Sequence, residues 1–268
     1  MARVTEVTDP GSPLVDDFRD LTTADRRPDR PGGRGLVIAE GVVVVRRLLA
    51  SAYPPRALLG VARRVEELAP DLAGLDVPVY VAPAEVMAEV VGFHLNRGVL
   101  AVADRAPMPD AADLAARART LAVLEGVGDH ENLGAIFRNA AALGVDGVLL
   151  GANCSDPLYR RSVRVSMGHV LRVPFAPLRP WPDGLDALRR AGYQVVALTP
   201  DATAVPLAGA GLAGRRVAVL LGSEGPGLTE EAMNAADLRV RIPMSGGVDS
   251  LNVATAAAIA FHALAPTA

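Results

Sequence analysis

The sequence predicts an α/β protein in which a small N-terminal α/β domain precedes a larger domain built on a mostly parallel sheet. Short apolar runs alternate with helical patterns along residues 36–103, and the alternation resumes more strongly after residue 119. The later runs, such as Thr120–Leu124 and Val217–Leu221, show no polar/apolar alternation, which is typical of strands buried on both faces.

The N-terminal third is predicted as an arm, a domain and a linker. Residues 1–35 are polar and rich in Pro, Gly and Arg, and we expect a partly ordered arm there. Residues 36–106 follow as a domain with strands at Leu36–Ala39, Ala57–Leu59, Val77–Val81 and Gly98–Ala103, and helices at Gly41–Ser51 and Val61–Leu68. Pro107 and Pro109 mark residues 107–118 as a linker.

Residues 119–268 are predicted as the second domain. Its strands are expected at Thr120–Leu124, Gly147–Leu150, Leu171–Pro174, Gln194–Leu198, Val217–Leu221 and Leu238–Ile242. Its helices are expected at Asn132–Leu143, Leu158–Met167, Pro182–Arg190, Thr229–Asn234 and Leu251–Leu264. Asn132 and Ser250 stand where N-caps belong, since Asn and Ser side chains accept backbone N–H groups at helix starts.

Composition excludes several classes of protein. The single cysteine, Cys154, excludes an intramolecular disulfide framework and a cysteine-cluster metal site, and fits a reducing cytosol. No apolar core follows Met1, and no clean apolar run of membrane-spanning length occurs. We therefore expect a cytoplasmic protein that uses no membrane and no metal.

Charge suggests one local basic surface. All 27 basic residues are arginine, and the net charge of −3 argues against a general nucleic-acid binder. Residues 155–180 nevertheless carry Arg160, Arg161, Arg164, Arg172 and Arg179 against Asp156 alone. Arginine suits bidentate phosphate contacts, so this strip is either an RNA-binding surface or a solvated helix face.

Unusual loops follow three of the predicted strands. They run from Glu125 to Asn132, from Gly222 to Gly227, and from Pro243 to Ser250. Ligands bind parallel sheets at these carboxyl ends. Neither glycine loop matches a dinucleotide or P-loop pattern, and the chain has no lysine, which excludes a nucleoside-triphosphate site. The scattered histidines form no recognisable hydrolase pattern.

Together the three loops resemble the motifs of the SpoU (TrmH) family of RNA ribose 2′-O-methyltransferases. Asn132–Ala140 resembles the first motif, N-x-G-x-x-x-R-x-A; Leu221–Gly227 resembles the second; and Ile242–Ala254 resembles the third. The resemblance implies a SPOUT fold with a deep trefoil knot in the C-terminal α/β domain and a ribosomal-protein-like RNA-recognition domain before it. It also implies a homodimer that binds RNA and uses S-adenosyl-L-methionine.

The same resemblance assigns roles to individual residues. Candidate catalytic residues are Arg138, Asn132, Glu224, Ser250 and Asn252. Candidate cofactor-binding residues are Thr199, Leu221, Gly222, Gly227, Ile242, Met244 and Leu251. The basic strip, and not the resemblance, supplies the candidate RNA-binding residues, which are Arg160, Arg161, Arg164 and Arg172.

The expected reaction is methyl transfer to a ribose 2′-hydroxyl, most simply in 23S ribosomal RNA. An unprotonated arginine is costly, so Arg138 is expected to pair with a phosphate and polarise the hydroxyl, while Glu224 or the phosphate accepts the proton. Two alternatives stay open. The chain could be a tRNA ribose methyltransferase, or a non-catalytic RNA-binding protein that retains the fold.

Overall fold

The computed structural model describes residues 3–19, 21 and 35–265 and divides into two compact units. The first unit comprises Met1–Pro107 together with Leu158–Arg172, and the second comprises Met108–Pro157 together with Val173–Ala268. Four arginines of the basic strip, Arg160, Arg161, Arg164 and Arg172, therefore belong to the first unit and not to the second domain as expected, whereas Arg179 belongs to the second unit. No helix in the described ranges is long and apolar enough to cross a membrane.

The first unit contains a mixed five-stranded sheet of order β1-β4-β3-β5-β2. Its strands are β1 (Arg3–Glu6), β2 (Val37–Glu40), β3 (Pro55–Gly60), β4 (Pro78–Val81) and β5 (Val99–Ala103). Its first helices are α1 (Val42–Leu49), α2 (Ala62–Glu67), α3 (Ala69–Leu72) and α4 (Ala84–Val91). Strands β2 and β3 both pair antiparallel with β5, whereas β1 and β3 pair parallel with β4.

The described N-terminal residues, in the segment expected to be a partly ordered arm, form regular structure. Strand β1 forms a sheet edge on β4, and a 3-10 helix follows at Pro13–Phe18. Val15 and Phe18 are fully buried in the core of this unit. Together with Val7 and Leu21, which are buried in the same cluster, they anchor a segment whose overall composition is polar. Residues 22–34, where the rest of the arm was expected, lie outside the described residues.

The second unit is built on a seven-stranded sheet of order β10-β12-β9-β11-β6-β7-β8, in which every pairing is parallel. Its strands are β6 (Thr120–Leu124), β7 (Gly147–Leu150), β8 (Phe175–Pro177), β9 (Gln194–Leu198), β10 (Val205–Pro206), β11 (Val217–Leu221) and β12 (Leu238–Arg241). The α/β class and the parallel sheet predicted from the apolar runs are confirmed.

Helices cover this sheet. They are α5 (Ala111–Arg117), α6 (His130–Ala142), α8 (Leu185–Arg190), α9 (Glu230–Asn234) and α10 (Val253–Leu264); α7 (Arg160–Val165) lies in the first unit. Leu114 of α5 and Leu188 of α8 pack with alternate strand residues such as Leu121 in one core cluster. Burial of apolar surface stabilises the folded state by about 25 cal/mol per Å². This packed layer therefore stabilises the strands whose ends carry the loops.

Two local predictions were wrong. The predicted strand at Leu171–Pro174 is a 3-10 turn at His169–Leu171, and β8 begins only at Phe175. The apolar run spans the point where the chain passes from one unit to the other. The stretch 107–118, expected as a linker, contains helix α5, whose N-cap Asp110 accepts a hydrogen bond from the Ala112 amide.

Candidate active site

A cavity of about 390 Å³ opens at the carboxyl ends of β9, β11 and β12, where the sequence placed its glycine-rich loops. We call it the glycine cavity. All seven candidate cofactor-binding residues line it: Thr199, Leu221, Gly222, Gly227, Ile242, Met244 and Leu251. Further lining residues that the motifs did not single out are Leu198, Pro200, Ser223, Gly225, Val253 and Ala256.

The loop after β11 folds back on itself too tightly for a side chain at position 222. A Cβ atom on Gly222 would lie 2.3 Å from the carbonyl carbon of Gly227 and 2.3 Å from the amide nitrogen of Leu228. Gly227 also has a φ of +76°, in the left-handed region that favours glycine. On the side of this loop the cavity wall is glycine backbone, which allows a ligand to approach main-chain N–H and C=O groups.

A buried carboxylate fixes the far end of this loop. Glu125, only 5% exposed, follows β6 and accepts hydrogen bonds from the backbone N–H of Thr229 at 2.8 Å and from its hydroxyl at 2.9 Å. It also accepts one from Trp181 Nε1 at 2.6 Å. Thr229 is the N-cap of α9, so Glu125 ties the start of that helix to β6. The sequence signal was a carboxylate directly after a buried strand.

Three of the five candidate catalytic residues meet at the mouth of the cavity. The amide nitrogen of Asn252 donates to Asn132 Oδ1 at 2.7 Å and to Glu224 Oε1 at 2.6 Å. Its Oδ1 accepts from the backbone amides of Ala254 and Thr255. Asn252 is therefore the N-cap of α10, a role expected for Ser250. One side chain thus begins a helix and joins it to the first turn of α6 and to the loop after β11.

Asn132 lies in the first turn of α6 and does not cap it. Asp129 is the N-cap, and its Oδ1 accepts from the amides of Glu131 and Asn132. This leaves the Asn132 side chain available to Asn252. Seven residues later on the same helix, Asn139 Nδ2 donates to the carbonyl of Ala254 at 2.8 Å, which holds α6 against α10.

The other two candidate catalytic residues do not take part in this hydrogen-bonded cluster. Ser250 lines the glycine cavity and is exposed. Arg138 is exposed on α6 and, among the described residues, makes no hydrogen bond or ion pair. It lies six residues after Asn132, about 9 Å along the helix axis, and does not line the cavity. The chain alone does not bring Arg138 into the Asn132–Glu224–Asn252 cluster.

The four candidate RNA-binding arginines lie in the first unit and differ in exposure. Arg161, Arg164 and Arg172 are exposed. The Arg160 guanidinium instead stacks 4.6 Å from the centre of the Phe93 ring and lies 3.7 Å from the buried Glu40 carboxylate. Burial lowers the pKa of Arg160, and Glu40 partly offsets this effect. Arg160 therefore packs inside its unit, unlike the other three.

No three His, Cys, Asp or Glu residues of the described chain form a group suited to a metal ion. The site offers a cavity lined by glycine backbone and apolar side chains, beside a hydrogen-bonded cluster of two amides and one carboxylate. Such a cluster can orient a hydroxyl group and accept its proton without metal ligands of its own.

Comparison with known proteins gives a consistent result. The model of the SpoU rRNA Methylase family matches residues 119–262. A Mycobacterium tuberculosis protein described as an uncharacterized tRNA/rRNA methyltransferase is 59% identical over 261 residues, covering 97% of this chain and 91% of that protein. An AdoMet-bound rRNA methyltransferase from Sinorhizobium meliloti is 29% identical, with a TM-score of 0.81 and 97% of each chain covered. The SpoU methyltransferase AviRb of Streptomyces viridochromogenes, 22% identical, shares the fold, with a TM-score of 0.77 over 94% of this chain and 97% of that chain.

Proposed function

The chain belongs to the SpoU rRNA methylase family, and from that premise we propose that it methylates a ribose 2′-hydroxyl of RNA. The family uses S-adenosylmethionine, which the Sinorhizobium meliloti structure contains. The observation that carries the proposal is the junction of Asn132, Glu224 and Asn252 at the mouth of the glycine cavity. The family and cofactor predicted from the three motifs are confirmed; the ribose hydroxyl is our proposal.

The glycine cavity fits the cofactor. Leu198, Leu221 and Val253 supply an apolar wall for an adenine ring, and the glycine backbone leaves N–H and C=O groups accessible. When bound, S-adenosylmethionine would supply a sulfonium methyl group: the ribose 2′-oxygen would bond to the methyl carbon as the carbon–sulfur bond breaks, leaving S-adenosylhomocysteine and one proton to be accepted. Glu224 lines the same cavity and would hold its carboxylate on that side of the cofactor.

The cluster at the mouth would position the hydroxyl and take up its proton. Glu224 accepts from Asn252 through Oε1, while its Oε2 has no hydrogen bond to any described residue. Oε2 is therefore available to accept the proton of the 2′-hydroxyl. The amide of Asn252, held by the first turn of α10, fixes the carboxylate in place. Holding reacting groups in a near-attack geometry can supply about 7–11 kcal/mol of a reaction barrier.

Arg138 would act on the phosphate beside the target ribose, and this favours a homodimer. Arg138 is exposed and distant from the cluster along its own helix, so a second copy would let Arg138 of the partner subunit approach the site. An apolar residue on the exposed side of α10, Ile259, is 39% exposed and provides surface for such an interface.

The chain path supports the deep trefoil knot implied by the resemblance. After the central strand β11, the chain forms α9 and then β12 on the far side of β9. It then returns to α10, and Asn252 contacts both Glu224 and Asn132. In the proposed knot, residues 243–252 would pass back across the loop that leaves β11. A threaded loop is rare in proteins, and here it would assemble the site.

Ribosomal RNA is the proposed substrate, with 23S RNA the first to test. The Sinorhizobium meliloti rRNA methyltransferase covers both units of this chain. The exposed Arg161, Arg164 and Arg172 would contact phosphates, so RNA binding should weaken steeply with salt. Transfer RNA is the alternative substrate, in keeping with the tRNA/rRNA description of the Mycobacterium tuberculosis relative.

The test is transfer of a radiolabelled methyl group from S-adenosylmethionine to unmodified total RNA, followed by size fractionation and digestion to nucleosides. We expect label in a 2′-O-methyl nucleoside of the large ribosomal RNA fraction. The Arg138→Ala variant should lose turnover while retaining RNA binding, and the exposed Arg215→Ala, at the opposite sheet edge, is the matched control. Label in a methylated base would contradict the ribose assignment, and no label in any fraction would favour a non-catalytic RNA-binding protein.

A further inference from the structure

A second cavity, of about 600 Å³, opens on the same edge of the seven-stranded sheet, at the carboxyl ends of β7 and β8. The loop 151–154 forms one wall, and residues 178–181 form the other. We call it the Trp181 cavity. None of its lining residues belongs to the three motifs or lines the glycine cavity.

The Trp181 ring is held rigidly at this cavity. A Cβ on Gly151 would lie 2.6 Å from Cε3 of the ring, so the indole packs directly on the Gly151 backbone. Its Nε1 donates to the buried Glu125 carboxylate. Trp181 remains partly exposed despite these contacts. A fixed, partly exposed indole ring is a stacking platform for a planar ligand.

Two polar side chains of the cavity have no partner in the part of the chain that is described. Asn153 is exposed, and its φ of +57° places it in the left-handed region, with its amide free of hydrogen bonds. Arg179 is exposed and makes no ion pair or hydrogen bond to a described residue. An amide can read the edge of a nucleobase, and a guanidinium can bind a phosphate bidentately.

The position of the cavity relates it to the reaction. The nearest strands of the two cavities, β11 and β7, are two strands apart in the sheet, which separates them by about 10 Å along one edge. A ribose presented to the Asn132–Glu224–Asn252 cluster would therefore bring neighbouring parts of the RNA strand to Trp181. Sequence-specific RNA recognition typically uses unstacked bases on aromatic side chains.

We propose that the Trp181 cavity binds an unstacked nucleobase of the RNA substrate, stacked on Trp181, read by Asn153 and held through an adjacent phosphate by Arg179. This inference rests on the proposed function for its substrate class. It assigns the cavity a role in choosing the nucleotide sequence, separate from the methyl-transfer cluster.

The chain has a single tryptophan, so the fluorescence of Trp181 reports on this cavity directly. The full-length protein, saturated with S-adenosylhomocysteine to block the glycine cavity, is titrated with nucleoside monophosphates and with ribose 5-phosphate. We expect saturable quenching by at least one nucleotide and none by ribose 5-phosphate. Absence of saturable quenching, or equal quenching by ribose 5-phosphate, would overturn the proposal.

Two variants test the assigned contacts. Arg179→Ala should weaken nucleotide binding about 5- to 10-fold, since it removes charge-assisted hydrogen bonds. Asn153→Gly removes the amide while keeping the left-handed backbone, and should change which base binds best. Arg215→Ala, an exposed arginine elsewhere on the second unit, is the control and should bind like the wild type. If Arg179→Ala binds nucleotides as tightly as Arg215→Ala does, Arg179 does not have the assigned role.

Steady-state kinetics of methyl transfer distinguish RNA from free nucleotides as the ligand of the Trp181 cavity. Arg179→Ala should raise the KM for RNA and leave the KM for S-adenosylmethionine unchanged. Quenching by nucleotides with an unchanged KM for RNA would indicate a site for free nucleotides and overturn the RNA assignment. If the wild-type protein transfers no methyl group, the proposed function fails, whereas normal transfer with unaffected variants defeats this inference alone.

Discussion

The two cavities on one sheet edge differ in how their polar side chains are satisfied. In the glycine cavity, Asn132, Glu224 and Asn252 bond to one another before any ligand arrives. In the Trp181 cavity, Asn153 and Arg179 have no partner among the described residues. If both proposals hold, the first site is preorganised for chemistry before a ligand binds, whereas the ligand completes the hydrogen bonding of the second.

Glu125 connects the two cavities. It binds Thr229, which begins α9 behind the glycine loop, and Trp181, which lines the second cavity. Both cavities therefore depend on one buried carboxylate at the end of β6. A change at Glu125 should affect both sites, whereas a change within either cavity should affect that site alone.

The largest expected effect is a loss of cofactor affinity when the tight backbone packing of the glycine loop is disturbed. The Gly222→Ala variant places a Cβ 2.3 Å from the Gly227 carbonyl carbon, so the loop must move. Overpacking of about 3 kcal/mol would reduce cofactor affinity about 100-fold, measured by isothermal titration calorimetry. Gly209→Ala is the control, because no atom lies within 4 Å of its added Cβ. Wild-type affinity in Gly222→Ala would show that the loop is pliable.

The next prediction separates helix capping from catalysis in the glycine cavity. Asp caps helices as well as Asn does, so Asn252→Asp keeps the start of α10. It replaces the amide donor by a carboxylate facing Glu224, and we expect turnover to fall about 100-fold, the usual cost of losing one positioned donor.

The matched control makes the same Asn-to-Asp substitution at another contact between α6 and α10. Asn139→Asp disrupts the hydrogen bond to the Ala254 carbonyl outside the cavity and should lower the unfolding midpoint but leave kcat near wild type. Equal losses of kcat in both variants would mean that the α6–α10 contact, and not the cluster, limits turnover.

The fold was predictable where residues are uniformly buried. Thr120–Leu124 and Val217–Leu221 are strands with the predicted bounds, because continuous apolar runs require burial on both faces. Strand β1 and the 3-10 helix after it were missed, since Val15 and Phe18 are single apolar residues in a polar segment. Local pattern carries little information where a segment is fixed by a few long-range contacts.

The site was predictable in its loops but not in its pairings. The motifs located the loops around Asn132, Glu224 and Asn252, yet two of these are 120 residues apart and meet only in the folded chain. The sequence also predicted the wrong N-cap for α6 and for α10, because several neighbouring polar residues at each helix start are suited to capping. The Trp181 cavity lies outside every motif, so only the structure shows it.

A smaller effect is expected on stability when the shared carboxylate is altered. Glu125→Gln keeps the shape but turns one acceptor into a donor, leaving Thr229 or Trp181 with an unpaired N–H or O–H. We expect a loss of about 1–3 kcal/mol in the free energy of unfolding, measured by urea denaturation. Cofactor affinity and nucleotide quenching should both decrease. The exposed Glu89→Gln serves as control, and an effect on only one cavity would show that Glu125 does not couple them.

The smallest expected effect concerns Cys154, the only cysteine, which lines the Trp181 cavity. Burial raises its thiol pKa, and Sγ donates a hydrogen bond to the Leu124 carbonyl at 3.3 Å. Because the thiolate is the reactive form, alkylation of the native protein at pH 7 should be several-fold slower than that of the urea-unfolded chain. Below the pKa of the unfolded thiol, about 8.5, the thiolate fraction of the native protein stays a constant factor below that of the unfolded chain. Above this pH the native thiol also ionises, so the two alkylation rates approach each other. A nucleotide in the cavity should slow the native reaction further. A native rate equal to the unfolded rate would mean that this wall of the cavity opens readily, and that the rigidity assigned to Trp181 does not extend to its neighbour.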